Sequence, residues 1–133
     1  MPNSITLSIK DENFAGKVIQ EILIGFNTET VTIKEIIEAR VRQEVAAYNT
    51  KQSGYYNGLV EPTGAEKTLN GYKIQGKKPI DAEKQVYVAL NAFQKNGFFV
   101  LADNQQCSSL DQQIQLRADT RISFVKLTQL VGG

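Results

Sequence analysis

The sequence predicts an α+β fold in which a mixed sheet packs on one main helix. Two observations point there directly. Apolar and polar residues alternate with period two near both ends of the chain, in 5–9 and 121–127, as in half-buried strands. Between them, 33–48 carries apolar residues at helical spacing behind a capping signature. A third is the series of turn-rich polar breaks that separates these segments.

In chain order, Ile5-Thr6-Leu7-Ser8-Ile9 is the first strand, and Asp11-Glu12-Asn13-Phe14-Ala15-Gly16 is a polar break with turn residues. Segment 17–26 resumes strand character with Val18, Ile22 and Ile24 on one face. Leu23 and Phe26 blur the alternation, so a bulge or two-sided burial is expected at its far end. A short polar loop between two such strands predicts an antiparallel hairpin.

Thr32-Ile33-Lys34-Glu35 fits a capping box: a hydroxyl caps one backbone N–H and a glutamate three residues on caps another. Ile33, Ile36, Ile37, Val41, Val45 and Tyr48 then form one stripe, with Lys34, Glu38, Arg42 and Gln43 on other faces, predicting a helix over 33–48. From 49 to 79 the periodicity dissolves among glycines, Pro62 and Tyr55, Tyr56 and Tyr72, with a short strand or hairpin expected over 69–75. A second helix opens after Pro79-Ile80, with Asp81 as N-cap, Val86, Ala89, Leu90 and Phe93 as its stripe and Gly97 as C′ terminator. Phe98-Phe99-Val100-Leu101 is an apolar strand, Ala102-Asp103-Asn104 a turn and Gln105-Gln106-Cys107 a short strand. Segment 108–119 has only Leu110, Ile114 and Leu116 as anchors, and 121–127 sets Ile122 and Phe124 against Ser123 and Val125. The economical arrangement pairs the first and last strands side by side and parallel in mid-sheet, with the main helix as crossover.

Composition limits what the chain can do. Its 133 residues suit a single domain over 1–133, and 41% hydrophobic against 22% charged residues is a globular balance. With a net charge of +1, nothing global calls for nucleic acid or a membrane as partner. Lys67, Lys73, Lys77 and Lys78 beside the tyrosines suggest a surface for single-stranded nucleic acid, but a solvated loop with locally packed aromatics explains them more simply. The absence of histidine excludes Ser-His-Asp and Cys-His catalysis and His-ligated metals. The single cysteine, Cys107, cannot form an intrachain disulfide and is expected to be a structural thiol. Asp103 and Asp111 are explained as turn or cap residues rather than paired acids or metal ligands. The glycines of 49–79 lack the strand-to-helix setting of a phosphate loop. No leader pattern opens the chain, and no apolar run reaches the ~18 residues of a membrane span. These features predict a cytoplasmic protein that is not an enzyme and holds no cofactor or metal.

The sequence ends in Gly132-Gly133, after Leu130, Val131 and the last strand. Glycine has no Cβ, so such a backbone can enter a narrow active site and adopt extended angles that other residues avoid. A terminal carboxylate there is a potential acyl group, with 128–133 as a flexible handle. A frayed terminus would look the same in sequence.

The order hairpin, capped helix, strand, short strand, final strand and Gly-Gly resembles the β-grasp fold of ubiquitin-like proteins. The last third carries the resemblance best: 98–106, then Leu110-Asp111, Ile114, Asp119-Thr120 and 122–133 follow the ubiquitin pattern element by element. The stretch of about 47–96, second helix included, is an insertion between main helix and third strand. Gln129-Leu130-Val131 stands where ubiquitin has arginines, and the chain is more similar to ubiquitin-like proteins found in bacteria beside their own enzymes.

The resemblance implies a protein modifier. An activating enzyme would adenylate the Gly133 carboxylate, a cysteine would take it as a thioester, and a target lysine would receive it, with a conjugating enzyme and a deconjugating protease as further partners. It also implies a docking surface, for which Val125 and Leu127 are the candidates. Lys10, Lys17, Lys77 and Lys78 are candidate acceptors for chain formation. Two alternatives share the fold: a sulfur carrier using a C-terminal thiocarboxylate, and a non-covalent β-grasp binding module.

Overall fold

A computed structural model describes residues 4–13, 15–51, 55–56, 58–60, 66–68, 71–73 and 79–126. In chain order the elements are β1 (Ile5–Glu12), β2 (Val18–Phe26), β3 (Thr30–Thr32), α1 (Ile33–Lys51), β4 (Tyr55–Tyr56), β5 (Glu66–Thr68), β6 (Gly71–Lys73), α2 (Ala82–Gln94), β7 (Phe98–Ala102), β8 (Gln105–Cys107), β9 (Gln113–Gln115) and β10 (Ile122–Lys126). The main sheet has the order β2-β1-β10-β7-β8. β1 and β10 run parallel at its centre and the other pairs are antiparallel. This α+β arrangement, a mixed five-stranded sheet with two helices, is compatible with a β-grasp-like fold.

Strand parity explains the sheet. Leu7 and Ile9 of β1, Ile24 and Phe26 of β2, Val100 of β7 and Ile122 and Phe124 of β10 face the core. Asp11 shares the parity of Leu7 and Ile9 and is fully buried, so β1 runs through Asp11-Glu12 where a polar break was expected. The irregularity in β2 also differs from expectation. The register shifts between Asp11 and Glu12, which pair with Gln20 and Val18, so the bulge lies at the near end, around Ile19. There Val18 is turned to solvent, 46% exposed, instead of joining Ile22 and Ile24. β7 and β8 are joined through Asp103 and Asn104, both at positive φ (49° and 68°), as a two-residue hairpin of right-handed twist requires.

The capping box of α1 is present on both sides: the Glu35 N–H donates to Thr32 Oγ1 (3.1 Å) and the Thr32 N–H to Glu35 Oε1 (2.9 Å). The next two orphan donors, the N–H groups of Ile33 and Lys34, find the carbonyls of Gln112 and Leu110. α1 buries Ile33, Ile36, Ile37, Val41, Val45 and Tyr48 as expected, and Arg40 with them, and runs three residues past 48. Just before it, β3 pairs with β9, a two-stranded ladder that three-residue strands made illegible in the sequence.

In the 47–96 stretch, β4, β6 and β5 form a small antiparallel sheet, its β5–β6 hairpin lying slightly N-terminal to the expected 69–75. Asp81 caps α2 as expected, its carboxylate accepting from the Glu83 and Lys84 N–H groups. The C-terminus differs by one residue. Asn96 holds the left-handed position (φ 61°), while Gly97 donates to the Ala92 carbonyl and Asn96 to that of Phe93. That pair of bonds is a Schellman motif with asparagine at C′. α2 packs on α1, and the Asn49 side chain both donates to and accepts from the Ile80 backbone at its entrance. Phe93, Phe98 and Phe124 form a row of tilted rings, at 5.9 and 5.8 Å, from α2 into the sheet.

Candidate functional site

β10 is the last described element, and its two faces lead to different environments. Ile122 and Phe124 enter the core, while Ser123 and Val125 point to the outer face. Val125 is half-buried there, between Glu12 of β1 and Phe99 of β7. Of the two candidate docking residues, Leu127 lies outside the described residues. So do the tail residues Leu130, Val131, Gly132 and Gly133, and the candidate acceptors Lys77 and Lys78. Lys10 is exposed on β1, in register with Glu21 and Ser123, and Lys17 is exposed at the start of the return strand. The large apolar residues most exposed on the sheet are Leu23 (62%) and Ile19 (53%), on edge strand β2; Leu23 is therefore not buried on a second side as the sequence pattern suggested, and Ile19 was not singled out.

Beneath the core end of β10 lies an ionic cluster that sequence reasoning missed. The Arg40 guanidinium forks onto both carboxylate oxygens of Asp11, with Nη2 to Oδ2 at 2.6 Å, and its Nε donates to Glu44 Oε1 at 3.0 Å. Gln20, the cross-strand neighbour of Asp11, donates to Oδ2. The guanidinium lies 4.6 Å above the centre of the Phe124 ring, a cation–π stack. Asp11 and Arg40 are fully buried and Glu44 nearly so. Lys126, half-buried, completes two acids and two bases, so the cluster carries no net charge. Its signal was present in the sequence. Asp11 has the core parity of Leu7 and Ile9, and Arg40 lies three and four residues beyond Ile37 and Ile36 on the helix stripe.

Burial and charge work against each other here. Burial disfavours the Arg40 charge, but Glu44 and Asp11 outweigh it, and the guanidinium binds its proton still more firmly than usual. Burial raises the Glu44 carboxyl above the ordinary glutamate range, with Arg40 opposing. Burial lowers Lys126, with Asp11 opposing.

A raised carboxyl pKa means that the folded chain binds that proton more tightly than the unfolded chain. Glu44's contribution is therefore fully present below the unfolded value and is lost as pH rises through the folded one. The depressed lysine acts oppositely, and its share of stability grows as pH rises from its folded value toward the unfolded one. Glu44→Gln keeps an acceptor for Arg40 but cannot titrate. Its stability relative to the parent is expected to improve steadily from acid to neutral pH, measured as urea midpoints at a series of pH values.

A three-residue strap meets this cluster. Gly58, Leu59 and Val60 are all buried, Leu59 and Val60 as members of the core. The Lys126 ammonium donates to the Gly58 carbonyl (2.9 Å), the Leu59 N–H to Glu44 Oε1 (3.4 Å), and Gln85 Nε2 of α2 to the Val60 carbonyl (2.9 Å).

Elsewhere the chemistry is structural. Cys107 is buried with its thiol pKa raised by desolvation, the opposite of an activated nucleophile. Asp103 accepts from the Arg121 N–H at the β7–β8 turn, while Asp111 lies in an open groove between α2 and the 107–111 segment, lined also by Lys34, Tyr87 and Asn91. Among the described residues no three His, Cys, Asp or Glu side chains group as a metal site requires. No helix among them is long and apolar enough to cross a membrane. Comparison with protein-family models, curated proteins and solved structures returns no match.

Proposed function

We propose that the chain is a β-grasp protein modifier whose Gly133 carboxylate is the reactive group. The observation that supports this most is the sheet itself. The order β2-β1-β10-β7-β8, with β1 and β10 parallel around a capped helix, is the arrangement that the resemblance to ubiquitin-like proteins predicts. The Gly132-Gly133 sequence follows β10, a central strand anchored on both sides. An activating enzyme forms the acyl-adenylate, a cysteine takes the acyl group as a thioester with loss of AMP, and a target amine displaces the thiol to form an amide. In this scheme a cytoplasmic activating enzyme, a conjugating enzyme and a deconjugating protease are the partners, with Val125 in the docking face and Lys10 and Lys17 as exposed acceptors. The chain contributes an acyl group and a recognition surface, and the activating and conjugating enzymes contribute the catalytic residues.

The test uses N-terminally tagged full chain in cells of its source organism. Covalent ladders on denaturing gels are expected, and deleting Gly133 should abolish them without changing the folded far-UV spectrum. Absence of ladders from the intact chain, or their persistence without Gly133, overturns the proposal. An intact mass shifted by sulfur for oxygen at the C-terminus would instead establish the sulfur carrier. Unchanged cellular function after the deletion would favour the non-covalent module.

A further inference from the structure

The edge strand β2 is nine residues long, and its exposed side chains are not those of a guarded edge. Natural sheets blunt a long edge with charge, proline or a very short strand, because its free N–H and C=O groups otherwise recruit another strand. In β2 the only charge is Glu21, no proline occurs, and Ile19 and Leu23 hold apolar side chains in solvent. The opposite edge is guarded by length alone, since β8 has three residues, with Gln105 and Gln106 exposed.

Backbone parity decides what can pair with β2. Gln43 of α1 donates to the Leu23 carbonyl at 3.0 Å, so that carbonyl points away from β1. In an antiparallel strand alternate residues aim both N–H and C=O to one side. Glu21 and Gly25 therefore aim theirs outward with Leu23, while Ile22 and Ile24 aim theirs at β1. A second β2, antiparallel about a two-fold axis, matches that set. With the axis at Leu23, the two exposed leucines meet and each Glu21 faces a Gly25, so no like charges are opposed. An axis at Ile22 keeps the parity but sets Leu23 against Glu21, and an axis at Glu21 opposes the two carboxylates. Gln43 need not move, because a carbonyl has two lone pairs. Ala39 and Ala47, one turn either side of Gln43 on α1, are short side chains on the helix flank beside the edge.

We propose that β2 is a homodimer edge. Two copies join antiparallel about Leu23 into one continuous ten-stranded sheet, with both α1 helices on the same face. The contact uses the same edge of each copy, so assembly stops at two. Joining β2 to β8 would instead grow without end, and three residues offer little to pair with nine. The pairing does not draw on the modifier reading, and a chain lacking Gly133 should dimerise equally.

Sedimentation equilibrium of the full chain over a concentration series tests the proposal. The parent should pass from the mass of one chain to that of two. Leu23→Lys changes an exposed side chain, and it should abolish the dimer while leaving the far-UV spectrum unchanged. The register has its own test at Gly25, where an added Cβ meets only Thr6 Oγ1, at 4.0 Å. Gly25→Asp sets a carboxylate against Glu21 of the second copy at two symmetric positions, and should raise the dissociation constant about tenfold. Glu21→Gln added to Gly25→Asp removes both repulsions and should recover most of that loss. A parent that stays monomeric at its highest soluble concentration overturns the proposal and leaves the edge to an extended segment of another protein. A dimer that survives Leu23→Lys overturns it as well. A Gly25→Asp defect that Glu21→Gln does not repair overturns the axis at Leu23.

Discussion

Replacing Arg40 by methionine should destabilise the protein by about 3–5 kcal/mol, because removing one member of a buried ion pair strands the charge of the other. The site is severe by that standard. Asp11 is fully buried, and the guanidinium forks onto both its oxygens, with Gln20 as the other donor. Glu44 loses its charged partner in the same step. A single domain is stable by only about 5–15 kcal/mol, so this one change removes a large fraction of the total. The expected signature is a lowered urea midpoint with an unchanged m value. Removing the charges together should have a much smaller effect. Asp11→Leu with Arg40→Met, Glu44→Leu and Lys126→Met leaves apolar groups of similar length in an apolar setting, and such replacements are often neutral or stabilising. A quadruple variant no more stable than Arg40→Met alone would show that the cluster is needed for packing, not merely balanced in charge.

Phe124→Ala should cost about 3–5 kcal/mol as a large-to-small change at a site of no solvent exposure. Two separable losses contribute. One is the cavity beside Phe98, whose ring centre lies 5.8 Å away. The other is the aromatic face beneath Arg40, worth about 2 kcal/mol when the cation is desolvated. Phe124→Leu separates them, since it retains most of the volume and none of the ring. A double-mutant cycle between Phe124→Leu and Arg40→Met should give a favourable coupling of roughly that size. Additive effects would mean that the ring only fills space.

What the sequence made legible was largely local. Thr32 and Glu35 are three residues apart, and their mutual bonds can be expected from spacing alone. Asp81 likewise caps the residues directly after it. The parallel pairing of β1 with β10 was legible because both alternate cleanly and chain geometry leaves few other arrangements. Asp11 failed the same treatment because a charge at a core position reads as a turn until its partner is known, and Arg40 lies 29 residues away on another element. The β2 bulge near Ile19 was misplaced because it arises from cross-strand register rather than from the composition of β2. At the α2 terminus, asparagine took the left-handed position that glycine usually holds, leaving Gly97 one step further on. The candidate site divides in the same way. Val125 was placed by its parity, whereas the strap 58–60 is tied by hydrogen bonds to Glu44 of α1, Gln85 of α2 and Lys126 of β10, three elements separate in the sequence.

The central pairing of β1 with β10 also constrains biosynthesis. The hairpin of β1 and β2 leaves the ribosome before β10, and one edge of β1 stays unpaired until residues 122–126 have been made. Until then Leu7 and Ile9 lack the neighbours that bury them in the finished sheet, and the nascent chain presents an open, half-apolar strand edge. Local pieces such as α1 can form during synthesis, but the sheet can close only after residues 122–126 have been made. The slow step of folding is therefore expected to follow the emergence of β10.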